Sequence, residues 1–365
     1  MGSNEIEWPD HWDENQINKI FVDSISSIVE GNLSTKTIEF KEFFSKFSHE
    51  RAKSQQKPLN TYYYLTRLSI NQPNTDYIIN IQNHSIVFGP TAHDKFYGTE
   101  FEGNFRTVSV RDPSLYCPLY VKIRSKSHTE AADASQRVLY AFMGFLNGIT
   151  SYYAHNFGSH KSLHRIRPSK YQIIADNKKR LITDVWWYSP YEEDEIFPLK
   201  VSEPAINIAK KFFHNIQKSN IEDDLISSLH LIHQAGAELN GGLRILLIWN
   251  AIEVLFSSYN SQENTKTIIH RASFMSETPH FRKIKLNLLN RMRNRYAHKA
   301  KLSINSDALF FDSRNYLIQI IRTIGEKKWS KMTLKDIHAI LDHSLDANSI
   351  NNSIKNAKIA LSLRR

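Results

Sequence analysis

The chain has 365 residues and a net charge of +10, from 47 Lys and Arg against 37 Asp and Glu. It is 41% hydrophobic and 12% aromatic with only 12 Gly and 11 Pro, which supplies real cores and excludes linker-rich or collagen-like chains. The single cysteine, Cys117, excludes an internal disulfide and a cysteine-rich zinc site, and a reducing compartment is the natural reading.

No apolar run reaches the ~18 residues that a membrane helix needs. The opening MGSNEIEWPDHWDEN is polar and acidic, unlike a secretory signal. These features predict a cytoplasmic protein without a membrane partner. The charge is unevenly placed. Residues 201–365 hold 24 Lys and Arg against 14 Asp and Glu, whereas residues 1–200 hold 23 of each. A basic half beside a neutral half suggests that the basic half meets a polyanion.

In chain order, helical patterns open near 14–31 and 36–55. Short strands come next, where aromatic and β-branched residues dominate: 62–65, 77–81, 85–88, 105–110 and 119–123. A long helix fits 129–153, with Val138, Phe142, Phe145 and Ile149 at helical spacing. Two more strands fit 171–175 and 181–187. The first part therefore reads as an α+β domain with a mainly antiparallel sheet.

The acidic Glu192-Glu193-Asp194-Glu195, then Pro198 and Pro204, mark a change of composition, which divides the chain into domains 1–195 and 196–365. Beyond it only helical patterns remain: 203–219, 222–258, 264–276, 281–297, 306–328 and 333–345. The longest is interrupted by Gly236, Gly241 and Gly242, so a kink or break is expected there. The polar, then basic, tail after Asn348 is expected to fray.

One segment carries chemistry. Residues 286–303 concentrate Arg291, Arg293, Arg295, His298, Lys299 and Lys301. Histidine titrates near neutral pH and suits proton transfer, while arginine matches phosphate with forked donors. RNA supplies its own nucleophile, the ribose 2′-hydroxyl, so such a pair needs no metal cofactor. Arg293 and His298 are five residues apart, about 140° past a full turn of a helix. They converge if the helix ends near Tyr296. The plainer reading is a basic helix end with a capping histidine.

Two segments resemble the HEPN superfamily of all-helical ribonucleases, most closely its Apea-like branch. One is Gly242-Leu243-Arg244-Ile245-Leu246-Leu247-Ile248-Trp249-Asn250-Ala251-Ile252-Glu253-Val254-Leu255-Phe256. The other is Leu289 to His298, similar to the family signature of Arg, then Asn, Asp or His, then three residues and His. The likeness covers about 140 of the 365 residues and departs from many relatives in placing Lys299, not Gly, after the histidine.

The resemblance implies an all-α HEPN-like bundle after the α+β domain, and a metal-independent endoribonuclease. It implies a homodimer in which two Arg–His motifs form one composite cleft. Arg293 and His298 take the catalytic roles, with Asn294 orienting the histidine. RNA, tRNA among the candidates, is the expected substrate. The resemblance also implies a toxin or anti-phage role, with a phage-derived trigger or an inhibitory partner. The first domain would sense the trigger or select the RNA.

Around that motif, Arg291, Arg295 and Lys299 are expected to touch substrate. Glu253 either supports Arg293 or forms a structural ion pair. Asn250, three residues before it, faces the same cleft or is a satisfied core amide. Tyr296 stacks on a base or makes a core or dimer contact. Arg244 contacts RNA or sits in a helix-surface ion pair. His155, His160 and His164 invite a metal, but a solvated loop is the favoured reading, with Lys161, Arg165 and Arg167 as a secondary RNA contact.

Overall fold

A computed structural model describes residues 58–92, 116–150, 162–169, 171–188, 197–258, 264–299, 306–326, 329, 331–343 and 346–362. Contacts divide the chain into residues 1–60 and 61–365, and the described strands and helices belong to the second unit, save that the first strand starts at Asn60. The helices expected at 14–31 and 36–55 and the strand at 105–110 lie outside the described residues.

Six strands form one sheet in the order β2-β3-β4-β1-β5-β6. They are β1 (Asn60–Leu68), β2 (Tyr77–Ile81), β3 (His84–Phe88), β4 (Cys117–Ser125), β5 (Tyr171–Ala175) and β6 (Leu181–Tyr188). The pairs β2–β3, β3–β4, β1–β5 and β5–β6 are antiparallel. β2 shows why its sequence makes a strand: Tyr77, Ile79 and Ile81 are buried while Ile78 and Asn80 between them are exposed. A two-residue turn, Gln82-Asn83, joins it to β3, with Gln82 at φ 53°. The central strand β1 is buried on both faces. Tyr64 and Leu68 enter the main core, while Tyr63 and Leu65 join Val87, Tyr120, Ile173 and Ala175 in a separate cluster.

The helices are α1 (His128–Thr150), α2 (Glu203–Ile216), α3 (Glu222–Ala237), α4 (Gly241–Phe256) and α5 (Thr265–Phe274). They continue with α6 (Pro279–Lys299), α7 (Ser306–Ile324), α8 (Leu334–Leu341) and α9 (Ala347–Ser362). An α+β part with a mainly antiparallel sheet thus precedes an all-helical part. The helix expected over 222–258 is two helices, broken at 238–240. Asn240 starts the second by accepting from the Gly242 and Leu243 backbone N–H groups. Within the tail expected to fray, the described residues form α9, which runs to Ser362. Among the described residues no helix is long and apolar enough to cross a membrane.

α1 joins the two parts. It packs on β4 and lies against α3 and α2. Val138, Phe142 and Phe145 are buried as their spacing predicts. The α1–α3 crossing depends on Gly144, where a Cβ would stand 2.3 Å from the Leu229 backbone oxygen.

A second seam is aromatic and polar. His164, from the loop before β5, stacks on His233 of α3 with centroids 4.7 Å apart and planes 4° apart. Its Nε2 lies 2.7 Å from the His233 carbonyl oxygen, an acceptor, so that nitrogen carries the proton. Tyr140 covers His233 at 4.6 Å. Both histidines are buried, and His164 is therefore not in a solvated loop. Arg167 also turns inward, donating to the His164 and Ser162 carbonyls at 2.8 and 3.0 Å, so of the proposed secondary RNA contacts only Arg165 is exposed among the described residues. His155, His160 and Lys161 lie outside them.

Burial disfavours the charged imidazole. It lowers His164 from 6.5 to about 3, and pushes His233 well below its ordinary value. An unfolded chain takes up protons below pH 6.5 that the folded chain refuses. The stabilisation is complete above pH 6.5 and is lost as pH falls towards 3.

Two outcomes are expected. Gly144→Ala should lower unfolding stability by about 1–3 kcal/mol, because backbone must give way. A chemical denaturation midpoint equal to wild type would contradict that packing. Between pH 6.5 and 4.5, burial of His164 should make stability fall with a slope that approaches about 1.4 kcal/mol per pH unit, and His233 should add to the fall in the same direction. His164→Phe should be measurably flatter than wild type over that range, and parallel curves would refute the assignment.

Candidate functional site

The site grows from the crossing of α4 and α6. At the start of α4, Arg244 does not face solvent. It is 2% exposed, pairs with Asp307 of α7 and donates to the Glu238 carbonyl at 2.5 Å. Burial lowers its pKa, opposed by the charges of Asp307 and Glu238. The expected RNA contact or helix-surface pair is instead an internal tie between α4 and α7.

One face of α4 carries Trp249 and Glu253, one turn apart. Trp249 is fully buried, and its indole Nε1 donates to Glu253 Oε1 at 2.5 Å. α6 packs across α4 and α5 through Leu286, Leu289 and Met292, all buried. The inner face so defined sets the direction of Arg293. Its Nη2 lies 3.5 Å from Glu253 Oε1, and its guanidinium carbon is 5.7 Å from the Trp249 ring centroid. Its Nη1 donates to Asn294 Oδ1 at 3.1 Å. Glu253 and Arg293 are therefore brought together, both about one-third exposed at 32% and 30%. Trp249 completes this Trp–Glu–Arg chain. Sequence reasoning passed over its role, although its placement four residues before Glu253 was a signal.

α6 does not stop near Tyr296 but continues through Lys299. His298 lies in its last turn and is exposed. Within one chain, Arg293 and His298 consequently leave the helix on different sides, about 140° apart. The side chains that share the His298 face are Arg295, three residues earlier, and Arg291, seven earlier, with Asn294 one turn away. Arg291, Arg295 and Asn294 are exposed. The side chain of Lys299 lies outside the described residues.

Tyr296 is half-buried, with its ring on the first turn of α4. A Cβ at Gly242 would fall 1.9 Å from a carbon of that ring. The tyrosine therefore makes an intramolecular packing contact. Asn250 is exposed one turn before Glu253, so it is not a core amide. Among the described residues no group of three or more His, Cys, Asp or Glu is placed to hold a metal ion.

No family model, curated protein or solved structure matches the chain.

The two arginines of α4 and α6 should behave oppositely on truncation. Arg244→Ala leaves Asp307 buried without its partner and should cost about 3–5 kcal/mol of stability. Arg293→Ala removes a pair about one-third exposed and should cost about 0–1 kcal/mol, because Trp249 still holds Glu253. Equal losses in thermal or chemical unfolding would reject this division of roles.

Proposed function

We propose that the chain is a metal-independent endoribonuclease that works as a homodimer and acts as a toxin or an anti-phage effector. The observation that supports this best is an exposed histidine at the basic end of α6. His298 shares its face with Arg291 and Arg295 and neighbours Asn294, while Arg293 is held one face away by Glu253.

The reaction would be transfer of the phosphoryl group within RNA. A base removes the 2′-hydroxyl proton, the 2′-oxygen bonds to phosphorus, and the bond to the leaving 5′-oxygen breaks. The 5′-oxygen takes a proton, which leaves a 2′,3′-cyclic phosphate. His298 suits either proton step. A second copy would bring the other imidazole, and with it an arginine to the phosphoryl oxygens. That requirement comes from the angle between Arg293 and His298 in one chain. What supports a second copy is an exposed apolar stripe: Phe281, Ile284 and Leu288 lie on α6 in line with Arg291, Arg295 and His298.

The test is cleavage of labelled RNA, tRNA included, in EDTA. His298→Ala should lose about 10²–10⁴-fold of the rate, and Arg293→Ala about 10²–10³-fold. RNA with a single 2′-deoxyribose at the cut should resist. Equal activity in wild type and both variants would remove this site from the reaction.

A second reading has its own support in the Arg293–Glu253 pair, which turns the arginine away from His298. In it the protein binds RNA or a nucleotide without cutting it. Binding would then weaken steeply with salt while the RNA stays intact.

A further inference from the structure

We propose that the cleft between α2 and α7 binds a small sugar phosphate. α1 supplies its floor and packs against both helices. Phe145 of α1 stacks on Phe212 of α2, with centroids 4.2 Å apart and planes 13° apart. Three residues further along α1, Gly148 lets α7 approach, since a Cβ there would stand 2.4 Å from the Ile318 side chain. Above this shared floor the helices leave a cavity of about 390 Å³. That is the small end of the range of about 300–1,000 Å³ for metabolite and cofactor sites. Gly325, just past α7, completes the wall. Its φ is not in the left-handed region, so the reason for glycine is the Phe212 ring, 2.5 Å from where a Cβ would stand.

Each helix turns one stripe towards the cavity. Ile208, Lys211 and Asn215 are three and four residues apart on α2, and Gln319, Arg322 and Glu326 repeat that spacing from α7 onward. Among the described residues, the side chains of Lys211, Asn215, Gln319 and Arg322 make no hydrogen bond or ion pair. Arg322 stands in the last turn of α7, where a cation suits the helix end. Lys211 precedes the last turn of α2 and has no such reason to be there. Two cations against the single carboxylate of Glu326 leave the wall positive, and a concave wall concentrates that field on an anion. Lysine and arginine at one site suit a phosphate.

The rest of the lining selects the body of the ligand. Asn215, Gln319 and Thr323 offer two amides and a hydroxyl, which suit the hydroxyl groups of a sugar. Phe145 and Phe212 stack on each other and are 0% and 6% exposed, so they offer ring edges and no face on which a nucleobase could stack. Those edges and the exposed Ile208 suit the C–H face of a sugar ring. A phosphate on a hydroxyl-rich body of this size meets both halves of the lining. Free sugar phosphates and the terminal ribose phosphate of an RNA strand share that chemistry.

The test is calorimetric titration of the full chain with ribose-5-phosphate as the probe, and one saturable site is expected. Lys211→Glu and Arg322→Glu should each weaken binding at least about tenfold. Lys210→Glu, an exposed neighbour outside the cavity, makes the same change of net charge and should bind as wild type does. Asn215→Ala combined with Gln319→Ala should weaken ribose-5-phosphate while leaving inorganic phosphate unaffected. No saturable binding, or the same loss in Lys210→Glu as in the two cavity variants, would overturn the site. The same effect of the double amide variant on both probes would overturn the sugar. A 5′-phosphorylated RNA that displaces the probe assigns the site to a strand end, and one that fails to do so assigns it to a free metabolite; the site stands in both cases. The variants lie on α2 and α7 and no cleavage is measured, so failure here and failure of the ribonuclease reading are separable.

Discussion

The direction in which α6 meets α4 governs most of what is distinctive in this protein. Leu286, Leu289 and Met292 must face inward, because they fill the seam with α4 and α5. A helix has no further freedom once its inner face is chosen. Arg293, the neighbour of Met292, is delivered to Glu253 and Trp249. Residues 281, 284, 288, 291, 295 and 298 are delivered to solvent on the other side. The same rotation that hides three apolar side chains therefore separates the guanidinium from the imidazole.

Much of the fold was legible, because burial has the period of the element that buries. The alternation in Tyr77–Ile81 and the spacing of Val138, Phe142 and Phe145 both reappear as buried faces. What escaped had specific causes. The chain break at 238–240 was visible only as a glycine-weakened middle, whereas Asn240 placed it by capping. α9 was hidden by composition, since its Asn and Ser residues are poor helix formers and mask the helical period. His164 looked solvated because its neighbours in sequence are polar. Its actual neighbours, His233 and Tyr140, are more than twenty residues away along the chain, on α3 and α1.

The site was half legible for the same reason. Glu253 stood out as a carboxylate in an apolar stretch, and its link to Arg293 was foreseeable from cost alone. The length of α6 was not. Nothing at Tyr296 or Ala297 ends a helix, and Tyr296 gains by lying on Gly242. Arginine counts were similarly ambiguous. Arg244 and Arg271 are internal partners of Asp307 and Asp342, so they join helices and add nothing to the outer field. The surplus of cations in the second half stays with exposed residues such as Arg291.

The Trp249–Glu253 hydrogen bond has a consequence for any anion that approaches. Because the indole fixes the carboxylate, Glu253 cannot swing aside when Arg293 is approached. A phosphate that approached Arg293 would meet the Glu253 carboxylate beside it, so the attraction of the guanidinium is reduced by a counter-ion that the indole holds in place. The arginine, which no such bond to the indole fixes, is the member of the pair with freedom to turn outward.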